Sequence, residues 1–432
     1  MKRLIILTLA LVLFAASGVY ATLTRTLTMG DANMVVRDDN NIWMFPSALY
    51  DYPDIAIGEF GYGGYYFPDL RKPTGTNEDG NNFTDFGIHY KFNEANPFVL
   101  ALYFTTNQPF YVPYYPFDWD MGVQSNRRID LFYARMLGGN KFGFHFNYVS
   151  GSSKYETDTV TGYIDDPNYE EEGIRNYGFD FGLTMMEGNL DLAAGIDLMS
   201  WTDKEYNGHD ETEPDGNFFF NAVGRYFYEA SQKVTLIPYA GFDYTKVGVK
   251  YLAYDSISFA NIDSLLRTEE YKDFMISAGV GMNYRPMEGV LAIGDIGIML
   301  DKYTYTYKPN DTTGSEREDK KDYLTLPYFR IGLDAVVFKW LDLRAGAVSY
   351  WKKYKNDNKY VDYVANANDV AYTYKYRSSY VSNETFLGAG FHWNNLFLDA
   401  YINPQIVTNG FNFISGMQQP LAWQVSLKYL MK

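Results

Sequence analysis

One stretch, Phe142 to Tyr148, narrows the choice of fold more than any other. It reads Phe-Gly-Phe-His-Phe-Asn-Tyr, with an aromatic ring at every second position and small or polar residues between. A strand sends successive side chains to opposite faces, so this arm has one greasy face and one polar face. The segment Ile129–Met136 precedes it across Leu137-Gly138-Gly139-Asn140, a turn whose glycines supply positive backbone angles. The same unit recurs. Tyr177, Phe179, Phe181, Leu183 and Met185 alternate with Gly178, Asp180, Gly182 and Thr184. Phe274, Ile276, Ala278, Val280 and Met282 alternate with Met275, Ser277, Gly279, Gly281 and Asn283. Residues 290–300 are compatible with either face inward.

The arms pair as 84–92 with 98–105, 129–136 with 141–150, 176–185 with 190–200 and 217–228 with 233–246. Then come 273–284 with 290–303, 323–337 with 341–351 and 382–393 with 396–403; 54–67 opens the series and 422–431 closes it. Short connections inside each pair alternate with long ones near 68–83, 106–128, 151–175, 201–216, 247–272, 304–322, 352–381 and 404–421. Bacterial membrane barrels have short periplasmic turns and long outer loops. Seven pairs plus the first and last arms predict sixteen antiparallel strands. A propeller of four-stranded blades or a large soluble sandwich lacks this alternation of connection length.

The N-terminus predicts a secretory signal over residues 1–21. Lys2 and Arg3 precede an apolar run, Leu4 to Ala16, and small residues close it at Ala21. Removing it takes two cations and moves the formal charge from -16 to -18. Phosphates would repel such a chain, which argues against nucleic acid. With no Cys, disulfides and thiolate metal sites drop out. The 41 Tyr and 31 Phe are a rich supply of amphipathic and apolar rings. Trp201, Trp351, Trp393 and Trp423 fall near strand ends, where an interfacial belt forms.

Residues 22–53 break the alternating pattern. Met29-Gly30-Asp31-Ala32, Asp38-Asp39 and Pro46-Ser47-Ala48-Leu49 resemble the opening of the FadL-like and PorV-like outer-membrane barrels. The Asn that precedes Pro in that family is Phe45 here, and its Gly is absent. The resemblance implies that 22–53 packs inside or beneath the barrel and, by itself, favours fourteen strands. Asp38-Asp39-Asn40-Asn41 also reads as a turn or helix start.

Several residues are candidates for chemistry. On the inferred inner face lie His89, Lys91, His145, Asp180, Asp243, Arg330, Asp334, Arg344 and His392, with Asp130, Asp191 and Asp197 beside them. Such a set lines a polar pore or fills the barrel with ion pairs, and alternation does not separate the two. No histidine pair has metal-ligand spacing, and no Gly-x-Ser-x-Gly elbow occurs. Gly279-Val280-Gly281 and Gly388-Ala389-Gly390 sit within strands and read as small inward residues. The stretch 107–120 is aromatic and proline-stiffened; Phe110, Tyr111, Tyr114, Tyr115, Phe117 and Trp119 make it a hydrophobic capture loop, a docking loop or one resting in headgroups. Acidic loops are expected at 165–172, 210–215 and 316–322.

The expectation is an all-β transmembrane up-and-down barrel over 54–432 in the outer membrane, with 22–53 as plug or periplasmic segment. It would pass a small solute, hydrophobic ones included, as a porin or FadL-like transporter does, without cofactor or metal. Its partners would be outer-membrane lipids, the barrel-assembly machinery and the solute. The alternatives are a non-conducting PorV-like protein serving exported proteins or surface attachment, and an outer-membrane hydrolase.

Overall fold

The structure, a computed structural model, describes residues 22–62, 82–106, 127–156, 169–205, 210–253, 264–309, 315–362, 370–402 and 422–431. The strands are β1 (Ile55–Tyr62), β2 (Asn82–Phe92), β3 (Phe98–Thr106), β4 (Arg127–Leu137), β5 (Asn140–Glu156), β6 (Tyr169–Met185) and β7 (Leu190–Glu205). Next are β8 (Asp210–Pro214), β9 (Phe218–Tyr226), β10 (Tyr228–Ser231), β11 (Val234–Ala253), β12 (Ser264–Tyr284) and β13 (Val290–Pro309). The last are β14 (Ser315–Phe338), β15 (Leu341–Asp362), β16 (Val370–Trp393), β17 (Leu396–Ile402) and β18 (Ala422–Leu430). Each strand but β9 pairs antiparallel with a sequence neighbour, β9 lies between β7 and β11, and β1 closes on both β2 and β18. The result is a closed antiparallel ring of 16 strands. The two others continue the line of β9: β8 bridges β7 and β11 beyond one end, and β10 pairs with β11 beyond the other. Closure gives each strand of the ring a partner on both sides, the arrangement by which a sheet can sit in hydrocarbon.

The alternation fixes which face is which. His145 and Asn147 are buried inside, whereas Phe86, Phe181, Val280, Ile331 and Leu427 are exposed on the outside. On β14 the exposed apolar side chains run from Leu326 to Phe338. Its residues 326–336, tilted near 45°, cover about 25 Å, the height of a hydrocarbon band, and Val337 and Phe338 continue it to the short-turn rim. Phe338, Trp340 and Trp393 stand exposed at the short-turn rim, where amphipathic rings are most at home. Trp201 departs from that expectation: it is buried in an inner cluster with Val247, Tyr251 and Tyr271. The side chain of Trp423 lies outside the described residues. The turn after β4 uses Gly138 and Gly139 at φ +57° and +86°.

Much of what reads as loop is strand. Residues 315–322, 352–362 and 370–381 belong to β14, β15 and β16, Glu170–Glu172 to β6, and Asp210–Pro214 to β8. The physical reason is height. Beyond the apolar band neither face meets hydrocarbon, so both faces carry polar residues and the two-residue signal fades; β14 there reads Ser-Glu-Arg-Glu-Asp-Lys-Lys-Asp. Among the described residues, β14, β15 and β16 have 24, 22 and 24 residues, and β17, β18 and β1 have 7, 9 and 8.

Candidate functional site

Residues 22–53 fill the lumen at the depth of the short turns. The segment makes one short helix, α1 (Leu23–Thr28), and two 3-10 turns, Asp39–Trp43 and Pro46–Asp51. Thr22 caps α1, and Asp38 caps the first turn by accepting from the Asn40 amide at 3.0 Å while its own amide donates to Asn41 Oδ1. Almost every side chain from Thr22 to Leu49 is buried. The segment is therefore a plug, joined to the wall by side chains rather than by strand pairing.

Three charged anchors hold it. In the first, Arg25 donates from Nε and Nη2 to Asp334 Oδ2 at 2.9 and 2.7 Å. Arg344 donates to the other oxygen of Asp334 at 3.1 Å and also meets Asp399, whose second oxygen accepts from Thr22 Oγ1 at 2.9 Å. In the second, Lys428 Nζ meets Asp39 Oδ2 at 2.9 Å with both side chains fully buried. In the third, Arg225 pairs with Asp191 at 2.9 Å and donates to the carbonyls of Asn33 and Val36 and to Asn41 Oδ1 at 2.7, 3.0 and 2.8 Å. A guanidinium has five donors in a rigid fork, and here they knit wall and plug backbone together. Burial and the neighbouring Asp39 charge push the Asp38 carboxyl up to about 7. Burial raises Asp39 as well, against the opposing pull of Lys428.

The packing is as close as the bonding. A Cβ on Gly143 would lie 2.1 Å from the Pro46 carbonyl carbon, and one on Gly346 would lie 2.5 Å from the Gly30 nitrogen. Gly182, Gly281, Gly332 and Gly388 likewise meet plug atoms. Leu291 and Ile293 turn inward to pack on Met29 and Val35, which is why residues 290–300 show no clear face in the sequence. Trp43 lies edge-on to Tyr103, Phe132 and His145 at 5.0, 5.1 and 5.8 Å.

The sequence candidates divide accordingly. His89 is buried beneath the plug, Nδ1 on the Tyr52 carbonyl at 2.7 Å and Nε2 on the Tyr103 hydroxyl at 2.6 Å. The carbonyl requires Nδ1 to donate, so Nε2 accepts in the neutral ring. His145 lies between Asp130 and Asp180, 2.8 Å from each. Asp334 and Arg344 belong to the first anchor. Arg330 faces Asp295 at 3.6 Å and its guanidinium lies 5.3 Å from the Tyr328 ring. Asp243 is half-buried on the inner face of β11. His392 reaches Asp342 at 2.9 Å near the rim. Lys91 does not line the lumen: it is exposed at the rim, beyond His89, where its amide donates to Asp54. Strand parity places it on the inner side, but the wall ends before the position is enclosed. The aromatic set Phe110, Tyr111, Tyr114, Tyr115, Phe117 and Trp119 lies outside the described residues. Arg25, Arg225, Asp399 and Lys428 escaped the sequence reading, because nothing local marks a wall residue as the partner of a segment hundreds of positions away. Among the described residues no group of three or more His, Asp or Glu is placed to hold a metal.

No family model and no curated protein matches this chain. Among solved structures, the ferric-catecholate import receptor Fiu of E. coli K12 in its open form is 9% identical with a TM-score of 0.34, covering 87% of this chain and 80% of that one. The alcaligin outer-membrane receptor FauA of Bordetella pertussis gives 8%, 0.35, 87% and 75%. The ferric yersiniabactin uptake receptor FyuA of Yersinia pestis gives 7%, 0.35, 87% and 80%. Overlap at this level carries no inference about ligand or mechanism.

Proposed function

We propose that this chain is an outer-membrane β-barrel that passes a small solute, hydrophobic ones included, when its own N-terminal segment yields. The observation behind this reading is the kind of seal: the plug contributes no strand to the ring and is held by exchangeable bonds, Arg25 to Asp334, Lys428 to Asp39, Arg225 to plug carbonyls. Such contacts can be broken without opening the sheet. The exposed apolar band supports a bilayer setting, with outer-membrane lipids and the barrel-assembly machinery as its partners. The FadL-like and PorV-like residues, Met29 to Leu49, lie within the plug, which suits a lumenal role. The tall wall of β14 to β16 favours a second reading, a PorV-like partner of exported proteins, since it stands clear of the band as a docking surface. Single-channel recording of the refolded chain separates them. Passage requires conductance to rise when residues 22–53 are removed and added solute to modulate it. A chain that stays silent with the plug removed, yet co-purifies with exported proteins, refutes passage.

A further inference from the structure

Above the plug the inner wall changes its chemistry. From Arg317 to Thr325 on β14, Tyr350 to Tyr360 on β15 and Tyr372 to Glu384 on β16, every second residue faces inward. None of these inward residues is Leu, Ile, Val, Met or Phe. Tyrosines dominate and touch across strands. Tyr323 stacks on Tyr354 at 4.8 Å, Tyr354 meets Tyr376 at 5.8 Å, and Tyr360 meets Tyr374 at 5.8 Å. The cations among them lie over rings, Lys352 at 4.2 Å from Tyr323 and Arg317 at 5.3 Å from Tyr360.

The tyrosines of β16 are the open ones. Tyr374 and Tyr376 are 63% and 58% exposed. β17 stops opposite Leu387, and among the described residues no strand pairs with β16 beyond it. Directly across from these two rings stand Asn358 and Asn356, whose side-chain oxygens lack a hydrogen-bond partner among the described residues. Unpaired amides inside a wall mark a surface whose hydrogen bonding is incomplete.

We propose that this wall binds a neutral oligosaccharide chain. Sugar rings present flat C–H faces with hydroxyls around the edge. Tyrosine rings at alternate positions, about 6.7 Å apart, offer faces to the first, and Tyr hydroxyls and Asn amides bond the second. An acyl chain would call for the aliphatic lining this face lacks. An anion would call for cations not already placed over rings and carboxylates. The site stands on the wall alone, whether or not the plug yields.

The test is binding of maltohexaose, cellohexaose and chitohexaose, each separately, to the full detergent-solubilised chain by saturation-transfer NMR and calorimetry. At least one hexasaccharide should bind at millimolar concentration or below. Tyr374→Ala with Tyr376→Ala should weaken it by about tenfold, given roughly two- to tenfold per lost ring face. The Phe pair at the same positions keeps the ring faces and loses only the hydroxyl bonds, so it should bind more tightly than the Ala pair and less tightly than the wild type, and Asn356→Ala with Asn358→Ala should lower affinity and alter the preference among the three sugars. If the alanine pair does not fold, the Phe and Asn variants carry the comparison. Failure of all three sugars to bind, binding untouched by these changes, or displacement of the sugar by dodecanoate overturns the proposal.

Discussion

Lys428 offers the sharpest test of the plug. Replacing it by Met keeps the length of the side chain and leaves the Asp39 carboxylate fully buried without its cation. Glu59 and Asp399 both press on Asp39 as like charges, and Lys428 is the cation bonded to its Oδ2 that opposes them. Breaking one side of a buried pair costs about 3–5 kcal/mol. That cost falls on the docked plug, because the wall itself closes by strand pairing. At about 1.4 kcal/mol per decade, the population of undocked plug rises by roughly two to three and a half orders of magnitude, up to the docking stability itself. The chain has no Cys, so Thr28→Cys, at a fully buried plug position, makes a clean reporter for a membrane-impermeant maleimide. Labelling at pH 7 should accelerate by that factor in Lys428→Met. Adding Asp39→Asn should restore most of the protection, since both charges are then gone. Burial already raises the Asp39 carboxyl, so protonation should relieve the single variant as pH falls. Equal labelling of wild type and Lys428→Met, or a double variant no better than the single, refutes the argument.

Gly143→Val or Gly346→Val places a Cβ against plug backbone that has nowhere to go, so the Thr28→Cys reporter should become reactive while strand content by circular dichroism stays unchanged; Gly294→Ala, whose Cβ comes no closer than 3.9 Å to Met282, should do nothing. Asp38 gives a pH dependence. Its carboxyl sits near 7 when docked and near 3.8 when released, so docking favours the protonated form: the penalty is absent below about pH 4, grows as pH rises and levels off above 7. Conductance recorded across that window should rise with pH, and Asp38→Asn should flatten the curve. Ile331→Arg sets a charge in the middle of the apolar band and should cost about 2–4 kcal/mol in refolding titrations into liposomes. Arg at that site without loss of stability would place the band outside the hydrocarbon.

The sequence alone carried the barrel. Strand alternation is local, so Phe142, Phe144 and Phe146 declare their face to any reader, and the short turns between arms set the count of 16 strands. The signal weakens wherever the surroundings stop being hydrocarbon outside and water inside. Glu316 to Asp322 look like a loop because both faces there meet water. Leu291 and Ile293 blur their arm because the inner face there meets a plug. The identity of the wall's partners was beyond local reading. Arg25 finds Asp334 and Lys428 finds Asp39 across 309 and 389 positions, and Gly143 must be bare because Pro46 lies against it. A residue's own sequence neighbours fix its face on a strand. Closure of the ring decides which distant segment fills the space that face looks into.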